Sequence, residues 1–303
     1  MIKGFPTFFV VGAQKAGTTS LYNWLKQQPD ISLPRIKETH FFSDDQIFKY
    51  GLKWYLEKFS FISEDFVRGE VCPEYMFFPK AAERIGRWNP KPKIVFIFRH
   101  PVERAFSQYQ MNLRSGPNFE SLSFFNALLA ERGRMENGGL FSLTHHSYMA
   151  RGEYIRQVKA FRRQLPHASV LFVKFESLVD QGEVGAKVYA DICQFIGLAS
   201  DPFVANRTEA SNVASEPKNI WLRDFLYNPN PLKALVRKII PIKEFRVLVS
   251  QTLDRWNQQP FKAKPDFFVP ATIYKQVLIE IEKLEHLTGL SLADWKTRDF
   301  RHR

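Results

Sequence analysis

The N-terminal stretch commits this chain to one kind of beginning. Residues 5–11, FPTFFVV, form an apolar run rich in Phe and Val and read as a buried strand. Gly12 ends the run, and Thr18, Thr19 and Ser20 open a helical pattern with Leu21, Trp24 and Leu25 on one face, closed by Pro29. A strand, a glycine loop and a helix in that order form the first part of a βαβ unit, so a parallel strand must follow.

Further strands are expected at Arg68–Val71, Lys93–Phe98 and Ser169–Lys174. Helices are expected over 81–88, from Val102 to about Asn112, and over Ser121–Arg134, Glu153–Gln164, Gly185–Ile196 and Thr272–Thr288. The alternation predicts an α/β fold: a P-loop-like parallel sheet flanked by helices on both faces, with a loop-rich and helical C-terminal part. The chain reads as a single domain over 1–303, with its α/β core in 5–198 and the C-terminal part in 199–303.

The glycine loop carries the chemistry. Gly12-Ala-Gln-Lys15-Ala16-Gly17-Thr18-Thr19 aligns with the nucleotide loop GxxxxGK[ST] at both glycines and the last hydroxyl, but Thr18 stands in place of its Lys. The cation sits three residues earlier, at Lys15. A metal-bound triphosphate also needs an acid on a neighbouring strand. The strand KIVFIF ends instead in Arg99 and His100. These features predict an anion held by backbone N–H groups at a helix N-terminus and neutralised by protein cations, without metal.

A second anion element follows in FRHPVERAFSQY. Arg99 leaves a strand end, Pro101 suits a first helical turn, and Ser107 lies two turns on. Arg99 can grip a phosphate bidentately, or pair with Glu103. Together the two elements imply a ligand with two separated phosphates at one sheet edge.

GAQKAGTTSL after FFVV resembles the 5′-phosphosulfate loop of sulfotransferases that use 3′-phosphoadenosine 5′-phosphosulfate (PAPS), and FIFRHPVERAFSQY resembles their 3′-phosphate motif. KETHFFSDD (37–45), GLKWYLEKF (51–59), GEVCPEYMF (69–77) and LTGLSLADW (287–295) resemble the heparan-sulfate and bacterial carbohydrate branch. The resemblance implies that Lys15, Ala16, Gly17, Thr18, Thr19 and Ser20 bind the 5′-phosphate side of PAPS, and that Arg99 and Ser107 bind the 3′-phosphate. It makes Glu38 the general base and Lys15 a catalytic cation, with adenosine 3′,5′-bisphosphate as product. Where that branch often has Lys inside Glu-Lys-Thr-Pro, this chain has Glu70-Val71-Cys72-Pro73. A helper cation must then come from elsewhere. Lys218 and Lys264 are candidates for a C-terminal cofactor loop.

His40 is a rival base, and Glu70 and Glu74 are candidate acceptor contacts. The pairs Phe8/Phe9, Phe41/Phe42 and Phe77/Phe78 read as core, with Phe42 or Phe78 as a possible wall of an acceptor pocket. A net charge of +12 favours anionic partners. Its scatter along the chain speaks against a nucleic-acid tail, and the expected partner is a small-molecule or glycan acceptor. A P-loop kinase and a non-enzymatic anion-binding module are the alternatives. Two cysteines, Cys72 and Cys193, read as buried thiols of a reducing compartment. No apolar run is long enough to span a bilayer, which leaves peripheral contact and predicts a cytoplasmic protein.

Overall fold

A computed structural model of the chain describes residues 4–59, 66–198, 215–219, 222, 252–253, 256–260 and 267–301. It divides into two compact units: residues 1–104, 150–211 and 272–299 form the first, and 105–149, 212–271 and 300–303 the second.

The first unit holds a parallel five-stranded sheet in the order β2-β3-β1-β4-β5. Its strands are β1 (Phe8–Gly12), β2 (Ile31–Ser32), β3 (Val67–Val71), β4 (Lys93–Phe98) and β5 (Ser169–Lys174). β1 pairs with β3 on one side and β4 on the other, so the chain reverses its direction of winding around β1. In open α/β sheets, ligands bind beyond the carboxyl ends of the strands at such a switch point.

Among the described residues the α-helices are α1 (Thr18–Leu25), α2 (Asp45–Phe48), α3 (Gly51–Leu56), α4 (Lys80–Gly86), α5 (Pro101–Arg114), α6 (Phe124–Asn137), α7 (Gly139–His145), α8 (Tyr154–Gln164), α9 (Phe175–Val179), α10 (Glu183–Ile196), α11 (Ala271–Thr288) and α12 (Ala293–Lys296). β4 and β5 match the expected bounds. β1 starts three residues later than expected: Phe5 and Pro6 are buried beside the sheet, but regular pairing begins at Phe8, opposite Gly69.

Aromatic packing fixes the segment that follows β2. Phe41 stacks on Tyr55 with centroids 4.8 Å apart, Phe42 meets Tyr55 edge-on at 4.9 Å, and Phe9 of β1 meets Phe42 at 5.8 Å. Phe8, Phe9, Phe41 and Phe42 are fully buried and Phe77 nearly so, while Phe78 is half-buried. The terminal segment packs near the ends of β4 and β5. Trp295 is buried against His100, and its indole N–H donates to Glu176 Oε1 at 3.1 Å.

The second unit carries most of α5, all of α6 and α7, and a two-stranded antiparallel sheet of β6 (Ser215–Pro217) and β7 (Gln258–Pro260). One buried carboxylate there, Glu120, accepts from Arg134 Nη1 and Tyr148 Oη, each at 2.7 Å, and from the N–H groups of Ser121 and Leu122. Among the described residues no helix is long and apolar enough to cross a membrane.

Candidate active site

The loop between β1 and α1 is locked into place by its backbone. The N–H of Ala13 donates to Ile97 O of β4 at 2.7 Å, and that of Ala16 to Ala13 O at 3.2 Å. Gly17 is the N-cap of α1 at φ 82°, a conformation that favours glycine, and a Cβ there would lie 3.2 Å from the Phe175 ring. Gly17 has no side chain to cap α1, and the first turn of the helix holds no acidic residue. The first N–H groups and the positive end of the helix dipole therefore face the loop. Ala16 and Thr18 are buried, whereas Lys15, Thr19 and Ser20 are half-buried.

Arg99 joins this loop from the neighbouring strand end. Its Nη1 donates to Lys15 O at 3.2 Å, and its guanidinium lies 4.7 Å from the centre of the Phe175 ring. Glu103, one helical turn on, lies 3.5 Å from Arg99 Nε and is shared with Arg298. The ion pair and the position beside the loop thus coexist. Ser107 lies on α5, half-buried, and belongs to the second unit.

The segment 37–40 is the third component. Glu38 and His40 both adopt left-handed backbone, at φ 61° and 55°. Such a conformation costs a non-glycine residue about 1–2 kcal/mol and must be enforced by the surroundings. Thr39 between them supplies the enforcement. Its N–H and hydroxyl donate to Glu70 Oε1 at 3.1 and 2.7 Å. Glu70 also accepts from Tyr55 Oη at 2.7 Å and Tyr75 Oη at 3.0 Å. Burial raises the Glu70 carboxyl above its ordinary pKa, and these donors partly offset the rise. Glu70 is fully buried and therefore anchors the segment.

Glu38 meets the ammonium of Lys37. Burial lowers Lys37 to about 8. Lys37 is a cation that the sequence reading did not single out; its position directly before Glu38 was the available signal. His40 meets Glu74 rather than Glu38, with Nδ1 2.6 Å from Oε2. Arg151, which the sequence reading did not single out, lies 3.4 Å from Glu74 Oε1. Lys218 belongs to the second unit, where its ammonium donates to Trp256 O at 2.9 Å. Lys264 lies outside the described residues.

The geometry gathers Lys15, Arg99 and a capless helix start near the ends of β1 and β4, and a carboxylate and an imidazole on the segment anchored to the end of β3. The first group suits a phosphate-bearing ligand; the second suits proton handling at an alcohol or amine.

The chain is similar to known sulfotransferases. A family model described as a sulfotransferase domain matches residues 5–230. Human heparan sulfate glucosamine 3-O-sulfotransferase 6 is 31% identical over 250 residues, covering 78% of this chain and 68% of that protein. The mouse 3-O-sulfotransferase 3A1 is 31% identical over 180 residues, covering 58% of this chain and 42% of that protein. The chain thus spans less than half the length of the mouse relative. A solved sulfotransferase from Alicyclobacillus acidocaldarius superposes with a TM-score of 0.64 at 25% identity, covering 96% of this chain and 99% of that one.

Proposed function

This chain belongs to the sulfotransferase-domain family, and from that premise we propose that it moves a sulfuryl group from PAPS to a hydroxyl or amine of a carbohydrate acceptor. The observation that carries the reading is the hydrogen bond from Arg99 to the Lys15 carbonyl, which draws cations from two strand ends to one loop. PAPS supplies an activated sulfuryl group on a phosphate leaving group.

The residues fit such a co-substrate. The uncapped start of α1 and Lys15 offer donors and positive charge to a 5′-phosphate, stabilising charge as it grows there. Arg99 offers a planar fork suited to the 3′-phosphate. These protein cations supply the neutralisation that a nucleotide kinase takes from metal, so the transfer is read as metal-free. Glu38 takes the acceptor proton as general base once its carboxylate parts from Lys37. Lys37 is the helper cation in place of the Lys missing from Glu70–Pro73. Two features support a carbohydrate acceptor: relatives named for heparan sulfate glucosamine, and the net charge of +12.

The deciding experiment is calorimetric titration with adenosine 3′,5′-bisphosphate in EDTA. Micromolar binding that is lost in Arg99→Ala is the expected result. Absence of binding, with ATP–Mg²⁺ bound instead, would overturn the reading in favour of a kinase-like activity.

A further inference from the structure

Glu74 lies between an imidazole and a guanidinium in the first unit. One carboxylate oxygen is 2.6 Å from His40 Nδ1 and the other is 3.4 Å from Arg151 Nη2. The Arg151 side chain is only 2% exposed, and its guanidinium lies 4.5 Å from the centre of the Phe77 ring and 5.7 Å from that of Phe78. Burial works to raise the Glu74 carboxyl, but the His40 hydrogen bond and the Arg151 charge outweigh it and hold the group below its ordinary value. Glu74 is therefore an anionic acceptor at neutral pH.

The other end of His40 is different. Its side chain is 37% exposed, although its backbone is held in the left-handed region beside the anchored Thr39. Structural histidines in this chain look otherwise. His100 is fully buried and accepts the Val102 N–H at Nδ1, and His146 has Nδ1 3.0 Å from Ser142 Oγ and Nε2 2.8 Å from Phe119 O. An imidazole held at Nδ1 beside the Glu74 carboxylate and the Cys72 thiol, and still 37% exposed, can offer its second nitrogen to a ligand.

We infer that Glu74, anchored on Arg151, is a positioning residue that holds His40 as the Nδ1–H tautomer, so that Nε2 accepts a hydrogen bond from an acceptor hydroxyl next to the reacting one. This rests on the proposed transfer reaction and adds an acceptor-orienting group to it. The proton itself still goes to Glu38, and no bond to His40 is made or broken.

Glu74→Gln is the informative change. Arg151 only donates, so the introduced amide must turn its oxygen toward Arg151 and its NH₂ toward His40 Nδ1. The ring then takes the Nε2–H tautomer and offers a donor where an acceptor is needed. Nitrogen-15 NMR of the imidazole should show the tautomer reversed. Acceptor kcat/KM should fall about 10²-fold or more, while the Kd for adenosine 3′,5′-bisphosphate stays within about twofold of wild type. In a His40→Asn background, the added Glu74→Gln change should cost almost nothing further, because both act through one ring.

An unchanged tautomer with wild-type acceptor kinetics would overturn the inference. So would fully additive effects in the double variant. If Glu74→Gln does not fold, wild-type acceptor kinetics in His40→Asn alone would overturn it as well. Failure of the wild-type protein to bind adenosine 3′,5′-bisphosphate would sink the transfer reading instead, so the two failures are distinguishable.

Discussion

Glu70 accepts both the hydroxyl and the backbone N–H of Thr39, at 2.7 and 3.1 Å. Thirty-one residues separate the two in sequence, so this pair ties the segment bearing Glu38 and His40 to the carboxyl end of β3. Glu70 is fully buried, and replacing it by glutamine keeps the shape while substituting donors for one acceptor oxygen. Glu70→Gln should lower stability by about 1–3 kcal/mol, seen as a reduced midpoint in urea. It should also loosen the 37–40 segment and depress sulfuryl transfer. The β1–α1 loop does not depend on Glu70, so affinity for adenosine 3′,5′-bisphosphate should survive. Loss of that affinity in a folded variant would contradict the anchoring role.

Arg99 makes three demands that a lysine cannot meet together. It donates to the Lys15 carbonyl, lies against Phe175 and faces Glu103. Arg99→Lys keeps the charge but loses the planar fork. Its affinity for adenosine 3′,5′-bisphosphate should fall about tenfold or more, the effect of losing roughly 1.4 kcal/mol. Calorimetry of the variant beside Lys15→Ala checks this. Lys15→Ala should damage both binding and rate, and no change in either would show the loop assignment to be wrong.

The parts of this architecture that depend on neighbours in sequence were legible there. β4 is a buried apolar run that begins after Lys93, and β5 is an apolar run between Ser169 and Lys174, so their bounds follow from the hydrophobic pattern. The glycine loop, the shifted Lys15 and the i,i+4 relation of Arg99 to Glu103 are likewise local. What escaped was non-local. The two-residue β2 exists because Ile31 finds Val67. The donors around Glu70 come from Thr39, Tyr55 and Tyr75, which no period links. His40 and Glu74 were both singled out, but their pairing needs the β3 end to meet the segment after β2. Arg151 carries no motif at all; only its burial beside Glu74 and Phe77 gives it a role.

Glu38 is the group on which the proposed chemistry turns. It sits at φ 61°, and its carboxylate meets Lys37. Glu38→Gln retains size and hydrogen-bonding shape but cannot take a proton. Turnover should fall by roughly 10²–10⁴ with nucleotide affinity nearly unchanged. Steady-state kinetics with a sulfated-product assay, beside calorimetry, separates the two. Wild-type turnover would remove Glu38 as the base.

The acid side of stability should be governed in part by His100. Burial first, then the charges of Arg298 and Arg99, lower its pKa to about 3. Its neutral Nδ1 accepts the Val102 N–H at 3.2 Å and so caps the start of α5. The unfolded chain binds a proton near 6.5 while the folded chain does not. Stability from this group is therefore complete above about pH 6.5 and is lost as pH falls toward 3. Each unit of pH in that window removes about 1.4 kcal/mol, or roughly 2 kcal/mol by pH 5. His100→Asn supplies a side-chain oxygen to cap Val102 without a titrating ring. Its stability relative to wild type, from urea unfolding at pH 7.5 and 5, should improve by about that amount at the lower pH. A gap that does not change with pH would mean that His100 takes up its proton in the folded protein as readily as in the unfolded chain.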